Sequence, residues 1–152
     1  MYRKATIEDC GRVYALICDM EQKTLPYDRF RAIFERQLQS ENYCCLLLEE
    51  NGAVIGELNL RFEEQLHHAE RIAEIMEFAM DAEYRSKGLG AGLFAHACDT
   101  AREQGCVQIE VACNQLRLDT HRFYLREGMH NFHYKFSKPL TGEDSAENAL
   151  GK

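Results

Sequence analysis

The chain has no apolar run approaching the length of a membrane-spanning helix, and its first residues are too polar for a secretory signal peptide. Neither a membrane span nor export is therefore expected. Basic charge is also scarce: 18 Lys and Arg stand against 25 Asp and Glu, a net charge of −7. A surface for nucleic-acid phosphates or an anionic membrane needs the opposite balance, so neither is an expected partner, and the acidic field hints mildly at a cationic substrate. No C-x-x-C pair occurs among the seven cysteines, Cys10, Cys18, Cys44, Cys45, Cys98, Cys106 and Cys113. Their odd number and their places on apolar faces fit reduced core residues of a cytoplasmic protein. Internal repeats are missing too. At 152 residues the chain has the length of one ordinary domain, expected over residues 1–140, with a polar, disordered tail from residue 141 onward.

What is present is a regular alternation of strand and helix patterns. A short strand over residues 2–5 leads to a helix over about 8–21, capped by Thr6 and Asp9 and striped with Val13, Leu16, Ile17 and Met20. Pro26 interrupts the pattern before a second amphipathic helix carrying Phe30, Ile33, Phe34 and Leu38. Strands over 43–49 and 53–62 flank Asn51-Gly52, the pair a type I′ hairpin turn prefers because both central positions need φ > 0. A polar loop over 63–69 precedes a central strand over 71–81. A helix then runs to about residue 104 and stops at Gly105. A strand over 107–112, a short helix over 119–126 ended by Gly128, and a last strand over 132–136 complete the order. The implied fold is α+β, a mixed but mostly antiparallel sheet layered between helices. A helical crossover makes the fourth and fifth strands parallel, and splaying between them would open a slot.

The most informative feature is Arg85-Ser86-Lys87-Gly88-Leu89-Gly90, which lies between the central strand and the long helix. Gly88 and Gly90 allow φ > 0 and a close approach of phosphate to backbone. The helix start adds unpaired amides and the positive end of its dipole, so the segment suits a diphosphate. A dinucleotide-binding oxidoreductase is set aside, because Leu93 takes the third glycine position and the motif sits mid-chain.

Residues 74–90 resemble the cofactor-binding core of the GNAT superfamily of acetyl-CoA-dependent N-acetyltransferases, whose pattern Arg/Gln-x-x-Gly-x-Gly/Ala is matched by Arg85, Gly88 and Gly90. Asn114, and Tyr124 four residues before Gly128, match the second half of that signature; Thr120 and Met129 depart from its usual alanine and phenylalanine. The resemblance implies a GNAT-like sheet splayed between strands four and five. It also implies acetyl-CoA as cosubstrate, its diphosphate on the amides of Ser86, Lys87, Gly88, Leu89, Gly90 and Ala91. Its pantetheine arm would pair with the backbone of Phe78 and Met80. A closer likeness, over most of residues 8–140, is to the aminoalkylphosphonate N-acetyltransferases. It is carried by Val13-Tyr14-Ala15-Leu16-Ile17-Cys18, Phe30-Arg31, Leu66-His67-His68, Glu74-Ile75 and residues 121–128, which read His-Arg-Phe-Tyr-Leu-Arg-Glu-Gly.

An alkyl ammonium has a pKa near ~10.4, so roughly one molecule in a thousand or fewer is free base at neutral pH and a base must take its proton. By the resemblance Glu74 is the leading candidate. Glu77, three residues on, would face the opposite side of an ideal strand unless a bulge reversed it. A backbone N–H near Phe78 or Ala79 can polarise the thioester carbonyl, and Tyr124 can protonate the leaving thiolate. No covalent acyl-enzyme is needed, so the cysteines are expected to be spectators. Adjacent His67 and His68 would point to opposite faces of a strand and so chelate one ion poorly, and exposed imidazoles are their plainer reading. With Arg31, His121 and Arg122 they can hold a phosphonate or carboxylate, directly or through a divalent ion. Arg126 fits the outer face of its helix, near the negative end of the dipole.

The function expected is acetyl transfer to a small-molecule primary amine. A protein-amine acetyltransferase and a non-catalytic acyl-CoA sensor are the alternatives. A homodimer is left open.

Overall fold

The computed structural model describes residues 1–142, so the expected tail beyond residue 142 lies outside the described residues. The chain divides into two compact units, Met1–Val111 and the part from Ala112 onward.

The first unit is a five-stranded sheet in the order β1-β2-β3-β4-β5. Strand β1 is Tyr2–Lys4, and the Asp9 carboxylate accepts the Thr6 N–H at 2.8 Å just before helix α1, Cys10–Glu21. Helix α2, Tyr27–Leu38, begins directly after Pro26. Strands β2, Tyr43–Glu50, and β3, Ala53–Gln65, meet at Asn51 (φ 52°) and Gly52 (φ 78°), the left-handed pair expected of this turn. Strand β4 is Glu70–Met80, helix α3 is Leu89–Glu103, and β5 is Gln108–Val111. Strand β3 runs beyond residue 62 because Glu63, Glu64 and Gln65 pair with Ile72, Arg71 and Glu70. A ladder partner outweighs side-chain polarity there, and the expected loop shrinks to a turn over 66–69.

The β4–β5 pair is parallel, as the helical crossover requires, and the other pairs are antiparallel. That parallel ladder runs only from Ile72↔Gln108 to Ile75↔Val111, while β4 continues to Met80. Under α1 and α2, sheet residues Cys45, Leu47, Val54 and Ala79 pack with Cys10, Val13, Leu16, Ile17 and Phe34. The opposite face meets α3, where a Cβ on Gly56 would lie 2.5 Å from Met80 Sδ and 3.4 Å from Leu93. Leu58, Leu60 and Leu93 are fully buried, each contributing about 1.5–3 kcal/mol of hydrophobic stabilisation.

The second unit contains helix α4, Leu118–Arg126. Gly128 (φ 91°) ends it, and Met129 N–H closes back on Tyr124 O at 3.0 Å. The strand expected over residues 132–136 is not formed. Residues 129–139 carry no helix or strand, and Phe132, Tyr134 and Phe136 are exposed. Their alternation has a strand's side-chain period, but a strand also needs a neighbouring backbone, and no ladder among the described residues includes them.

Candidate active site

The end of β4 is tied down by Asp81, whose N–H bonds Ile55 O at 2.8 Å and whose carboxylate accepts from the Glu83 N–H at 2.9 Å. The chain then takes left-handed conformations at Ser86 (φ 62°) and Gly88 (φ 78°) and enters α3 at Leu89. No side chain caps this helix, so the first-turn amides of Leu89, Gly90 and Ala91 have no capping partner. A Cβ at Gly88 would meet nothing within 4 Å, which leaves the approach to those amides open. Arg85 lies alongside, bonded through Nε to Met80 O (3.0 Å) and through Nη2 to Asp19 (2.9 Å). The Lys87 ammonium sits over the Tyr84 ring, 5.4 Å from its centroid. Open amides, a helix start and two cations fit a diphosphate. Phe78, Ala79 and Met80 lie just upstream, past the point where the β4–β5 ladder stops.

The other half of the site depends on a bulge. Asn59 pairs with Glu77 and Leu60 with Ile75, so Met76 is an extra residue on β4. The extra residue shifts the alternation by one. Glu77 therefore shares a face with Glu74, correcting the ideal-strand expectation that the two point apart. The same face carries Glu57, Asn59 and Arg61 of β3 and Cys45 of β2, and it looks toward α1 and α2.

Two acids on one face have different surroundings. Glu74 accepts from Arg61 Nη2 at 2.6 Å, and the same nitrogen lies 2.6 Å from Glu63. Among the described residues no cation forms an ion pair with Glu77. Glu77 accepts from Asn59 Nδ2 at 2.9 Å, and that amide also donates to Gln37 Oε1 on α2 at 2.9 Å. Burial pushes the Glu77 carboxyl above the usual range, the Asn59 hydrogen bond offsets part of this, and Glu21 adds repulsion. Glu57 is 0% exposed, and neither carboxyl oxygen has a hydrogen-bond partner in good geometry. Burial raises its pKa well above the ordinary value, the charge of Glu77 raises it further, and the nearby Ala79 amide opposes this weakly.

Glu57, Asn59 and Glu77 form the polar wall of a cavity of about 170 Å³, whose apolar wall includes Leu25, Phe30 and Ile33. A wider cleft of about 530 Å³ shares Gln37 and Asn59 with it, but its only acid is the exposed Glu41. The smaller cavity is the one lined by Glu57 and Glu77. Glu57 and Asn59 were not among the sequence candidates. The legible signal was two polar residues alternating with Gly56, Leu58 and Leu60 in an otherwise apolar strand.

The remaining candidates are placed as follows. Arg31 is exposed on α2, and the Tyr27 hydroxyl beside it favours its charged form. His67 and His68 sit on the exposed β3–β4 turn, their rings 4.2 Å apart, with His68 Nδ1 2.7 Å from Gln65 Oε1. That turn is at the far end of β4 from Glu77, so the structure does not bring them to the cavity. Within the second unit, Asn114 Oδ1 accepts the Leu116 N–H at 2.8 Å, and His121 Nε2 lies 2.7 Å from Asn114 O. Arg122 pairs with Asp119, and Arg126 lies over the Phe123 ring. Tyr124 is buried, edge-on to Phe123 at 5.3 Å. Among the described residues no group of three or more His, Cys, Asp or Glu is gathered to hold a metal ion, and no helix is long and apolar enough to cross a membrane.

A parallel pair whose ladder stops short of the end of β4, an uncapped glycine loop at a helix start and a recessed carboxylate fit an acetyl-CoA-dependent N-acetyltransferase. Residues 11–129 match the acetyltransferase (GNAT) family model, and the chain belongs to that family. It is 41% identical over 138 residues to the aminoalkylphosphonate N-acetyltransferase of Salmonella typhimurium strain LT2, covering 91% of this chain and 90% of that protein. Many solved structures share the fold, two of them as follows. A transcriptional regulator from Bacillus halodurans C-125 has TM-score 0.84 at 22% identity, over 91% of this chain and 98% of that one. AAC(6')-Iy in complex with a CoA bisubstrate analogue has TM-score 0.82 at 13% identity, over 91% and 96%.

Proposed function

We propose that this enzyme acetylates the primary amine of a small metabolite, an aminoalkylphosphonate or similar amino acid-like compound, in the cytoplasm and as one domain over residues 1–140. The observation that carries this reading is the 41% identity, nearly end to end, to a protein named for that activity. The cavity supports it, since its apolar walls and a carboxylate held by an amide and not by a cation suit a short alkyl ammonium.

Glu77 is the proposed base, with Glu74 as the alternative. Glu77 has a raised pKa and no cation, whereas Glu74 is held by Arg61. Glu77 takes one proton from the ammonium, and the freed amine attacks the thioester carbonyl. A backbone N–H near Phe78 or Ala79 stabilises the developing oxyanion. Bound acetyl-CoA supplies the carbonyl and a thiolate leaving group of pKa roughly ~8.5, which Tyr124 is proposed to protonate, while the attacking nitrogen loses its second proton to solvent and Tyr124 regains one from it. The roles of Tyr124 and Asn114 rest on the sequence resemblance. Arg85, Ser86, Lys87, Gly88, Leu89, Gly90 and Ala91 are proposed to hold the diphosphate. Arg31, on the helix that walls the cavity, is proposed for the acceptor's anionic group, with His67, His68, His121 and Arg122 as further candidates carried by the resemblance.

A thiol-release assay with acetyl-CoA over 2-aminoethylphosphonate, polyamines, an amino sugar and a lysine peptide, with and without divalent ions, tests this. Preferred turnover of the aminophosphonate supports it. Turnover of polyamines or the peptide alone overturns the acceptor, and acetyl-CoA binding without turnover of any amine favours a sensor.

A further inference from the structure

Glu57 has no part in the reaction just described, yet it is the most deeply buried acid of the sheet. Nothing in the hydrophobic core needs it there. A buried carboxyl without a partner is unfavourable, and one kept ionised without a cation is worse. Asn59 Nδ2 cannot donate to a Glu57 carboxylate, because its N–H groups are already given to Glu77 and Gln37. The Met76 bulge sets Glu57 and Glu77 on one face as diagonal neighbours, close enough for carboxyl groups to interact. We propose that Glu57 is a positioning residue that holds a proton beside Glu77, so that the two carboxyls carry one negative charge between them and Glu77 remains the ionised, proton-accepting member.

The resting pair is Glu57 as carboxylic acid and Glu77 as carboxylate. When the acceptor ammonium transfers its proton to Glu77 both members are neutral, and release of that proton to solvent restores the starting state. A second negative charge on Glu57 would drive Glu77 toward its protonated, inactive form. The other groups bearing on the pair leave this assignment intact. Cys45 from β2 is a thiol whose own pKa is raised by burial and by both glutamates, Gln37 from α2 is neutral, and the Ala79 amide of β4 is a weak donor. Glu21 at the end of α1 adds negative charge, and Asp9, which bears on Cys45, is held by Arg3. No Lys, Arg or His among the described residues forms an ion pair with Glu57 or Glu77, so no cation relieves the need for a shared proton.

This inference rests on Glu77 as the base, but its first test needs no turnover. Difference infrared spectroscopy of the full chain across pH follows the C=O stretch of a protonated carboxyl. The wild type should show a band at neutral pH that Glu57→Gln removes and Glu57→Asp restores. In Glu77→Gln the band should titrate at lower pH by about one unit or more, because the neighbouring charge is gone. In turnover, Glu57→Gln should lose an alkaline ionisation from the kcat/KM profile while its KM for acetyl-CoA is unchanged. A wild type with no Glu57-dependent band at neutral pH overturns the proposal. So does a band whose titration ignores Glu77→Gln, or a Glu57→Gln profile superimposable on the wild type. Each of these results leaves acetyl transfer itself standing, whereas failure of Glu77→Gln to impair turnover removes the base and not the paired proton.

Discussion

The two ends of the site are built from different materials. The glycine loop from Arg85 to Gly90 is contiguous, largely exposed and made of backbone: two left-handed residues and the uncapped start of α3. The carboxyl cavity is discontinuous, recessed and made of side chains from α1, α2 and three strands. A backbone cradle tolerates changes of side chain, since any residue but proline offers the same N–H. The cavity does not, because its acidity depends on which group lies beside which at the end of a sheet ladder.

That contrast predicts separable defects. The largest belongs to the cavity. Glu77→Gln should lower kcat/KM by about 10²–10⁴-fold, the usual contribution of a general base, with little change in KM for acetyl-CoA. Glu74→Gln, which breaks an ion pair with Arg61, should cost less than about tenfold in steady-state kinetics. The reverse order would return the base to Glu74. Next comes the loop. Gly88→Val forces a β-branched residue into φ 78° at a cost of about 1–2 kcal/mol, so calorimetry should record acetyl-CoA binding weakened by roughly five- to thirtyfold. The KM of the acceptor amine should stay put.

A smaller effect concerns pH. Glu77 must be ionised to accept a proton and burial raises its pKa, so the acid limb of kcat/KM should lie above the ordinary carboxylate range. Acetyl-CoA binding, measured across the same limb, should be flat. The smallest is in stability. Glu57 keeps its proton in the fold, whereas in the unfolded chain it loses it near pH ~4.3, so stability falls as pH rises from there toward the raised folded value. Glu57→Gln lacks that slope. Its melting temperature, relative to wild type, should therefore rise as pH increases between those two values.

Much of the loop half was legible because it is local. Arg85, Gly88 and Gly90 sit within six residues, and the strand before them and the helix after them are visible in their apolar periods. The Asn51-Gly52 hairpin was legible for the same reason, since two left-handed positions in a row leave few residue choices. The misses are non-local. Alternation at Phe132, Tyr134 and Phe136 has a strand's period, but hydrogen-bonded neighbours make a strand and those residues have none in the described structure. The polar 63–65 segment became strand because β4 was there to pair with it.

The sequence by itself determined the order of the strands and long helices through α4, the parallel β4–β5 crossover and the anion-seeking loop, because each follows from short-range geometry that the backbone enforces. Only the tertiary structure decided the acids. The Met76 bulge turns Glu77 onto the face of Glu57 and Asn59 and leaves Arg61 to Glu74, and α1 and α2 supply the apolar wall of the cavity that Glu57 and Glu77 line. The acidity of a carboxyl is set by the water and charge around it, and those are fixed by residues far away in the chain.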